Sequence, residues 1–351
     1  MLKRRTSPNP SRISIDLGGY HTRIFSEADG LILDEPSVGL LDMDHQHAGA
    51  RAVNHYGIVA EERFADAPTG KRLIRPLQAD YTNNVGHCPR MLSYFLLHAK
   101  RERLIGKSPI ILLALPSDIT ELQTDQLRHA CFTSGSSRVH LVDADIAAAL
   151  GAGLPIEQPM PSILLELGAR GARLCTYLNE EVTSAVNIPC GGDLLTDELT
   201  KGIREQFGVQ VSPITAQEAK HQVGSAIQPT DQQRLRNSCQ VQGLVIKENF
   251  DSQFSLTTDE AFDILKPTLQ HAADMLQQAI NRFPVAYRDA LQQNGIFICG
   301  GGTQLAHIDQ LVEQATGLSV EVASRPLSTT ARGGGMMLER IHGALKTAES
   351  A

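Results

Sequence analysis

A turn opened by acid-Leu-Gly occurs twice in this chain, and no other feature constrains the fold as much. Ile13 to Phe25 reads I-S-I-D-L-G-G-Y-H-T-R-I-F, and Leu164 to Cys175 reads L-L-E-L-G-A-R-G-A-R-L-C. Laid over each other, Asp16 falls on Glu166, Leu17 on Leu167, Gly18 on Gly168, Arg23 on Arg173 and Ile24 on Leu174. Each copy reads as an apolar strand, a tight turn and a second strand. A turn repeated once at long range points to a duplicated fold with a cleft between its halves and the two turns facing each other. Each offers a carboxylate and backbone N–H groups, which is what a Mg-nucleotide needs from both sides.

Composition narrows the class. With 351 residues, 42% of them hydrophobic and 20% charged, the chain can bury a sizeable core, and two domains are expected. A formal net charge of −7 argues against a general nucleic-acid binder. The six cysteines (88, 131, 175, 190, 239, 299) show no C-x-x-C spacing, so reduced, mostly buried thiols in a cytosolic protein are expected. The longest apolar run, Ile110 to Leu115, is too short to span a bilayer, and the basic start lacks the apolar stretch of a signal peptide. The twelve histidines contain no H-E-x-x-H or paired metal spacing, and His45 and His47 fall in a polar loop.

The coarse order of elements supports an α/β duplication. After the first hairpin, strands are expected at Leu31 to Leu33 and Ser37 to Leu41, separated by Glu35-Pro36. Helices follow at Met91 to Arg103 and Glu121 to Phe132, with strands at Ile110 to Leu115 and Val139 to Val142. A short helix from Ile146 to Leu150 stops at Gly151 and Gly153. The second half repeats the order: the hairpin at Gly168, a strand at Val182 to Ile188, and Gly191-Gly192-Asp193 opening a helix to Phe207. Gln228 to Ser255 reads as a peripheral subdomain or a linker. Asp259 to Phe283 is the longest helix, with a kink expected at Pro267. Ile296 to Cys299 runs into Gly300-Gly301-Gly302, and Ala331 to Gly335 precedes a closing helix.

Several of these segments together resemble the bacterial actin homologues of the MreB family, within the superfamily of actin, sugar kinases and heat-shock chaperone ATPases. The likeness rests on I-D-L-G at Ile15 to Gly18, D-E-P-S-V at Asp34 to Val38 and A-A-A-L-G-A-G-L-P at Ala147 to Pro155. It continues through G-G-D at Gly191, K-H-Q-V-G-S-A at Lys220, G-G-G at Gly300 and A-R-G-G-G at Ala331. Any one of these is weak; in family order they are specific, and they span nearly the whole chain. The resemblance implies an α/β, actin-like ATPase fold with two duplicated domains around a nucleotide cleft. Domain I is expected at 1–150, completed by 310–351, and domain II at 151–309, with a peripheral subdomain at about 213–257.

The resemblance also assigns residues to ATP and Mg. In the first phosphate loop the family carries Asp-Leu-Gly-Thr-Ala-Asn-Thr. Here Asp16, Gly18 and Thr22 stand, with Gly19, Tyr20 and His21 as departures; a tyrosine ring is bulky beside a phosphate. The second loop, Asp-Ile-Gly-Gly-Gly-Thr-Thr-Glu in the family, is Glu166-Leu167-Gly168-Ala169-Arg170-Gly171-Ala172-Arg173 here. Both hydroxyls are gone, and side chains at Ala169 and Arg170 replace glycines whose bare backbone allows close phosphate approach. Asp16 and Glu166 would hold the metal. On the nucleoside side the resemblance implicates Gly191, Gly192 and Asp193, where a helix start favours an anion or ribose. It adds Gln217, Glu218 and Lys220, and the turn Gly300, Gly301, Gly302 and Thr303. The other reading of these glycines is that the backbone simply turns sharply there. Without a metal, two states are open to Arg170, a fork onto the two acids or an exposed arginine on a relaxed loop, while Arg173 is expected to point outward.

No catalytic residue is assigned. The family glutamate that orients water precedes Pro in Glu-Glu-Pro-Met-Ala-Ala-Ala, and Ala144 occupies its place, flanked by Asp143 and Asp145. Hydrolysis is therefore expected to be absent or very slow. The expected function is that of a filament-forming cytoskeletal protein of cell shape, in the cytoplasm and at the inner face of the membrane. Its partners would be itself or an intact MreB paralogue, and membrane morphogenesis proteins. The alternative is a non-polymerising adaptor that uses the dead cleft as scaffold. Pro8 and Pro10 break any amphipathic helix at the N-terminus. Lys3, Arg4, Arg5 and Arg12 leave only weak, salt-sensitive attraction to an anionic leaflet, so membrane contact is weak or indirect.

Overall fold

The computed structural model describes residues 11–42, 53–66, 70–77, 86–230, 237–245 and 250–349. The chain divides into two compact units, Met1–Gly153 with Ser328–Ala351, and Leu154–Leu327. His45, His47 and the N-terminal residues up to Pro10 lie outside the described residues.

In the first unit, β1 (Arg12–Leu17), β2 (His21–Ser26) and β3 (Gly30–Pro36) form an antiparallel meander. The aliphatic run of β7 (Ile110–Leu115) lies parallel to β1, and β8 (Arg138–Asp143) parallel to β7. The resulting order is β3-β2-β1-β7-β8. Ile13 and Ile15 of β1 face α2 (His87–Arg101), which buries Met91, Phe95 and Leu96 against them. Ser14, between them in sequence, is fully buried on the reverse face. A sheet covered on both faces is why β7 is apolar at every position. Three further strands, β4 (Gly39–Asp42), β5 (Val53–Tyr56) and β6 (Lys71–Ile74), form a small antiparallel sheet with α1 (Ile58–Asp66) beside it. The helix α3 (Glu121–Thr133) begins with a reciprocal cap between Thr120 and Gln123. The helix α4 (Ala144–Ala152) follows β8 directly.

The second unit repeats this plan. Strands β9 (Ser162–Leu167), β10 (Ala172–Leu178), β11 (Glu181–Ile188), β15 (Ile296–Cys299) and β16 (Val320–Val322) stand in the order β11-β10-β9-β15-β16. The antiparallel and parallel pairings match those of the first sheet, strand for strand. One face packs against α5 (Gly192–Phe207), α7 (Thr258–Asn281) and α9 (Ile308–Thr316), through Leu199, Leu265, Leu269 and Val312. A second small sheet is built from β12 (Val209–Gln210), β13 (Ser238–Val245) and β14 (Phe250–Thr257), beside α6 (Pro213–Val223). The segment read as subdomain or linker is thus a paired hairpin. The remaining helix, α8 (Arg288–Asn294), leads into β15. Despite Pro267, α7 runs as one helix, started by a reciprocal cap between Thr257 and Glu260.

Several expected boundaries move. Glu35-Pro36 ends β3 rather than separating two strands, and α2 begins four residues before Met91 at His87. Arg12 belongs to β1 and pairs with Glu27 at 3.0 Å, so it is not part of a basic tail. Gly151 lies inside α4, which ends at the left-handed Gly153. The largest correction concerns Ala331 to Gly335, which lies inside the closing helix α10 (Thr329–Glu349) and not before it. Three glycines in a row read as loop because each costs about 1 kcal/mol in a helix. Here they form the face by which α10 reaches the rest of the unit. A side chain on Gly333 would strike the Ala147 carbonyl, one on Gly151 the Thr329 carbonyl, one on Gly334 Ser14, and one on Gly335 the Phe25 ring. Ser14 Oγ and Arg332 Nη2 donate to the Ala331 and Gly151 carbonyls across the same contact. Gly333→Val should therefore lower unfolding free energy by about 3 kcal/mol or more in urea titrations. Gly153→Ala, where a Cβ meets nothing within 4 Å, should cost about 1–2 kcal/mol through its positive φ alone.

Candidate functional site

The first turn, residues 18–20, joins β1 to β2 at the end of the strand that carries Asp16. Gly18 is required because a Cβ there would strike the His21 carbonyl. Behind the turn, two fully buried hydroxyls hold it: Ser37 Oγ donates to the Gly18 carbonyl at 2.7 Å, and Thr22 Oγ1 lies 2.9 Å from Ser37 Oγ. The Ser37 N–H also donates to the Tyr20 carbonyl at 2.8 Å. These contacts use carbonyls, and the N–H groups of Gly19 and Tyr20 meet no acceptor among the described residues. Asp16 is opposite Arg23 across the β1–β2 pair. Burial raises its carboxyl to about 6, against the pull of Arg23 and with a further push from Asp34. A desolvated carboxylate beside unpartnered N–H groups suits a hydrated cation and a phosphate. The rest of the turn is tied sideways: His21 Nδ1 lies 2.5 Å from Asp34, and Arg23 Nε 3.2 Å from the same carboxylate. The Tyr20 ring stacks on His21 and lies under the Arg75 guanidinium.

The second turn uses its backbone differently. Glu166 stands opposite Arg173 in the β9–β10 register, repeating the acid–arginine pair of the first turn. Gly168 N–H closes the turn onto the Gly171 carbonyl at 2.9 Å. The start of α5 then grips the turn: Gly192 N–H donates to the Gly168 carbonyl at 3.0 Å, and Asp193 N–H to the Ala169 carbonyl at 2.9 Å. The N–H groups expected to meet an anion at that helix start are thus committed within the unit. Gly191 is a packing requirement, since a Cβ would strike the backbone of residues 169–171. Arg170 is exposed, the second of its two expected states. Arg173, expected to point outward, is half-buried, and its Nη1 donates to Asn187 Oδ1 at 2.7 Å.

Around this turn the other implicated residues gather. Gly300, at φ +90, and Gly302 both press on Leu167 at the end of β9. Thr303 Oγ1 closes its own turn by donating to the Gly300 carbonyl at 2.7 Å, while Gly301 is exposed. Gly168, Gly191, Gly192 and Gly302 line an apolar cavity of about 40 Å³ with Cys190 and Leu305. That is far below the roughly 300 Å³ of a ligand pocket, so it is a gap in the packing under the turns. On α6, Gln217 is half-buried and Glu218 exposed. Lys220 is buried, and its Nζ donates to the Gly192 carbonyl at 2.6 Å and to Thr196 Oγ1 at 2.8 Å.

At the β8–α4 junction, Ala144 is the first residue of α4. Asp143 caps that helix by accepting from the Asp145 N–H at 2.8 Å, and Asp145 is buried. Sequence reasoning passed over Ser37 and Asp34 as individual residues, although the D-E-P-S-V segment that contains them was singled out. Arg75 carried no signal at all.

Two five-stranded sheets of one topology, each with a small antiparallel sheet attached and an acid-Leu-Gly turn at its central hairpin, define an actin-like protein. The MreB/Mbl protein family model matches residues 10–346, and the chain belongs to that family. It is 28% identical to the cell shape-determining protein MreB of Escherichia coli (strain K12), covering 97% of both chains. It is 24% identical to the cell shape-determining protein Mbl of Bacillus subtilis (strain 168), covering 94% of this chain and 96% of that one. Among solved structures, MreB5 of Spiroplasma citri bound to AMPPNP superposes with a TM-score of 0.84 at 22% identity, over 97% of this chain and 100% of the other. A MamK double helical filament gives 0.74 at 16% identity, over 94% and 99%.

Lys220 yields a pH-dependent prediction. Burial lowers its ammonium to about 8, with Asp193, Asp197 and Cys190 opposing, against 10.5 for an ordinary lysine. Between these values the unfolded chain binds more protons than the folded one, so stability rises with pH across the window. From about pH 8 to about pH 9.5, the parent should gain about 1–2 kcal/mol over Lys220→Met in parallel urea titrations.

Proposed function

We propose that this chain is a cell-shape-determining, filament-forming actin-like protein whose nucleotide chemistry is degenerate. Membership of the MreB/Mbl family supports the first part, as do relatives described as cell shape-determining and a structural neighbour that is a double helical filament. The AMPPNP-bound neighbour supports a nucleotide as the ligand. The first turn fits ATP with Mg: Asp16 would face the metal, and the N–H groups of Gly19 and Tyr20 the phosphates, so the cofactor would supply charge to be neutralised there. Glu166 is the second candidate for the metal. The second turn fits poorly, because its partners at Gly192 and Asp193 are already bonded.

The observation that carries the loss of hydrolysis is the β8–α4 junction. A water-orienting acid must be free to meet the attacking water. Ala144 has no such group, Asp143 is engaged as the cap of α4, and Asp145 is buried. Assembly then rests on the fold's own surfaces, with itself or with an intact MreB as partner. The protein works in the cytoplasm, at the inner face of the membrane through weak or indirect contact. No helix among the described residues is long and apolar enough to cross a membrane. Nucleic acid is not a partner on this reading, given the net charge of −7.

Two measurements check this. Phosphate release should fall at least about a hundredfold below that of the E. coli relative under the same conditions. Equal turnover, abolished by Asp16→Ala, would overturn the reading. Negative-stain microscopy and light scattering should show the same polymers with and without Mg-ATP, alone or mixed with an intact MreB. Flat scattering under all of these conditions would reject filament formation.

A further inference from the structure

The contacts of Tyr20 do more than fill space. Its ring stacks on the His21 imidazole with centroids 5.3 Å apart and an interplanar angle of 23°, and the Arg75 guanidinium lies 4.1 Å above its centre. Arg75 follows β6 directly, at the root of the small sheet β5-β4-β6. The link from β3 into β4 at that root, residues 37–38, is the segment whose Ser37 holds the turn from behind. Arg75 Nη1 is shielded from solvent and meets no hydrogen-bond acceptor among the described residues. Burial raises the Glu61 carboxyl on α1 while Arg75 and His21 pull it down, and Glu35 at the end of β3 accepts from the Ile58 N–H at 2.8 Å. A guanidinium that has given up water and hydrogen bonds on one side interacts more strongly with an aromatic face than an exposed one does.

We propose that Tyr20 is a latch: clasped between Arg75 and His21, it fastens the first turn to the root of the small sheet and holds the turn's shape with no ligand bound. In this chain the ring does the cross-linking that a bound anion would otherwise do from the turn's N–H groups. The turn and the small sheet therefore behave as one body in the nucleotide-free protein, and Arg75 is a positioning residue for the turn.

Hydrogen–deuterium exchange of the full chain without nucleotide tests this, read in peptides containing Gly39–Asp42 and Lys71–Ile74, with the β9–β10 peptides as internal reference. Tyr20→Ala should speed exchange there by about tenfold and leave the reference unchanged. Arg75→Met, which keeps the stem and removes the charge, should do the same. Tyr20→Phe, which keeps the ring, should match the parent. The double variant Tyr20→Ala/Arg75→Met should be no faster than either single variant, because both remove one contact. Parent-like protection in Arg75→Met, or multiplied rates in the double variant, overturns the latch. No nucleotide enters the experiment, so its failure leaves the proposed loss of hydrolysis untouched.

Discussion

The first unit is built from both ends of the chain, and it closes through one backbone-to-backbone contact, the crossing of α4 and α10 at Gly151 and Gly333. Neither glycine tolerates a Cβ, because each faces a carbonyl of the other helix. Such close approach makes many weak contacts, including Cα–H to carbonyl contacts, that larger residues would hold apart. Those contacts, together with the bonds from Ser14 and Arg332, offset the roughly 1 kcal/mol that each helical glycine costs. The consequence reaches the first turn. Gly334 sits against Ser14, two residues before Asp16 on the same strand, so the acid's strand is backed by residues from the far end of the sequence.

The two turns show how one topology can be secured in two ways. In the first, the buried Ser37 hydroxyl, itself bonded to that of Thr22, holds the Gly18 carbonyl from behind and leaves backbone N–H groups unspent. In the second, the start of α5 donates its own N–H groups to the turn's carbonyls. The second arrangement tolerates Ala169 and Arg170, since their side chains do not disturb the carbonyls that α5 holds. Position 191 beside it must be glycine, because packing against residues 169–171 demands it. Lys220 belongs to the same device, tying α6 to the first turn of α5 at the expense of a desolvated ammonium.

Much of this was legible in the residues. Continuous aliphatic runs located β7 and β15 to the residue, and the overlay of the two turns gave the internal repeat, though not that each acid stands opposite the arginine of its own hairpin. What escaped was tertiary. A glycine triplet is a loop by propensity and a helix face only because α4 and Ser14 lie against it. The helix start at Gly192 looked open to ligand because nothing in its spacing tells that Gly168 and Ala169 reach it. Arg75 was invisible, since a cation over a ring depends on chain segments far apart in sequence.

The junction at Ala144 shows why chemistry and fold can part company in such a chain. Position 144 begins a helix whose cap is the preceding residue, and the capping bond runs from the Asp145 N–H to Asp143. A cap of this kind contributes about 1 kcal/mol and does not depend on the side chain at 144. Alanine is moreover the best helix former, so its presence there costs the helix nothing. The same cap that preserves the junction also draws the nearer acid into a structural bond, and burial takes up the other. The proposed loss of hydrolysis is thus neutral for stability, and the architecture has no reason to change with it.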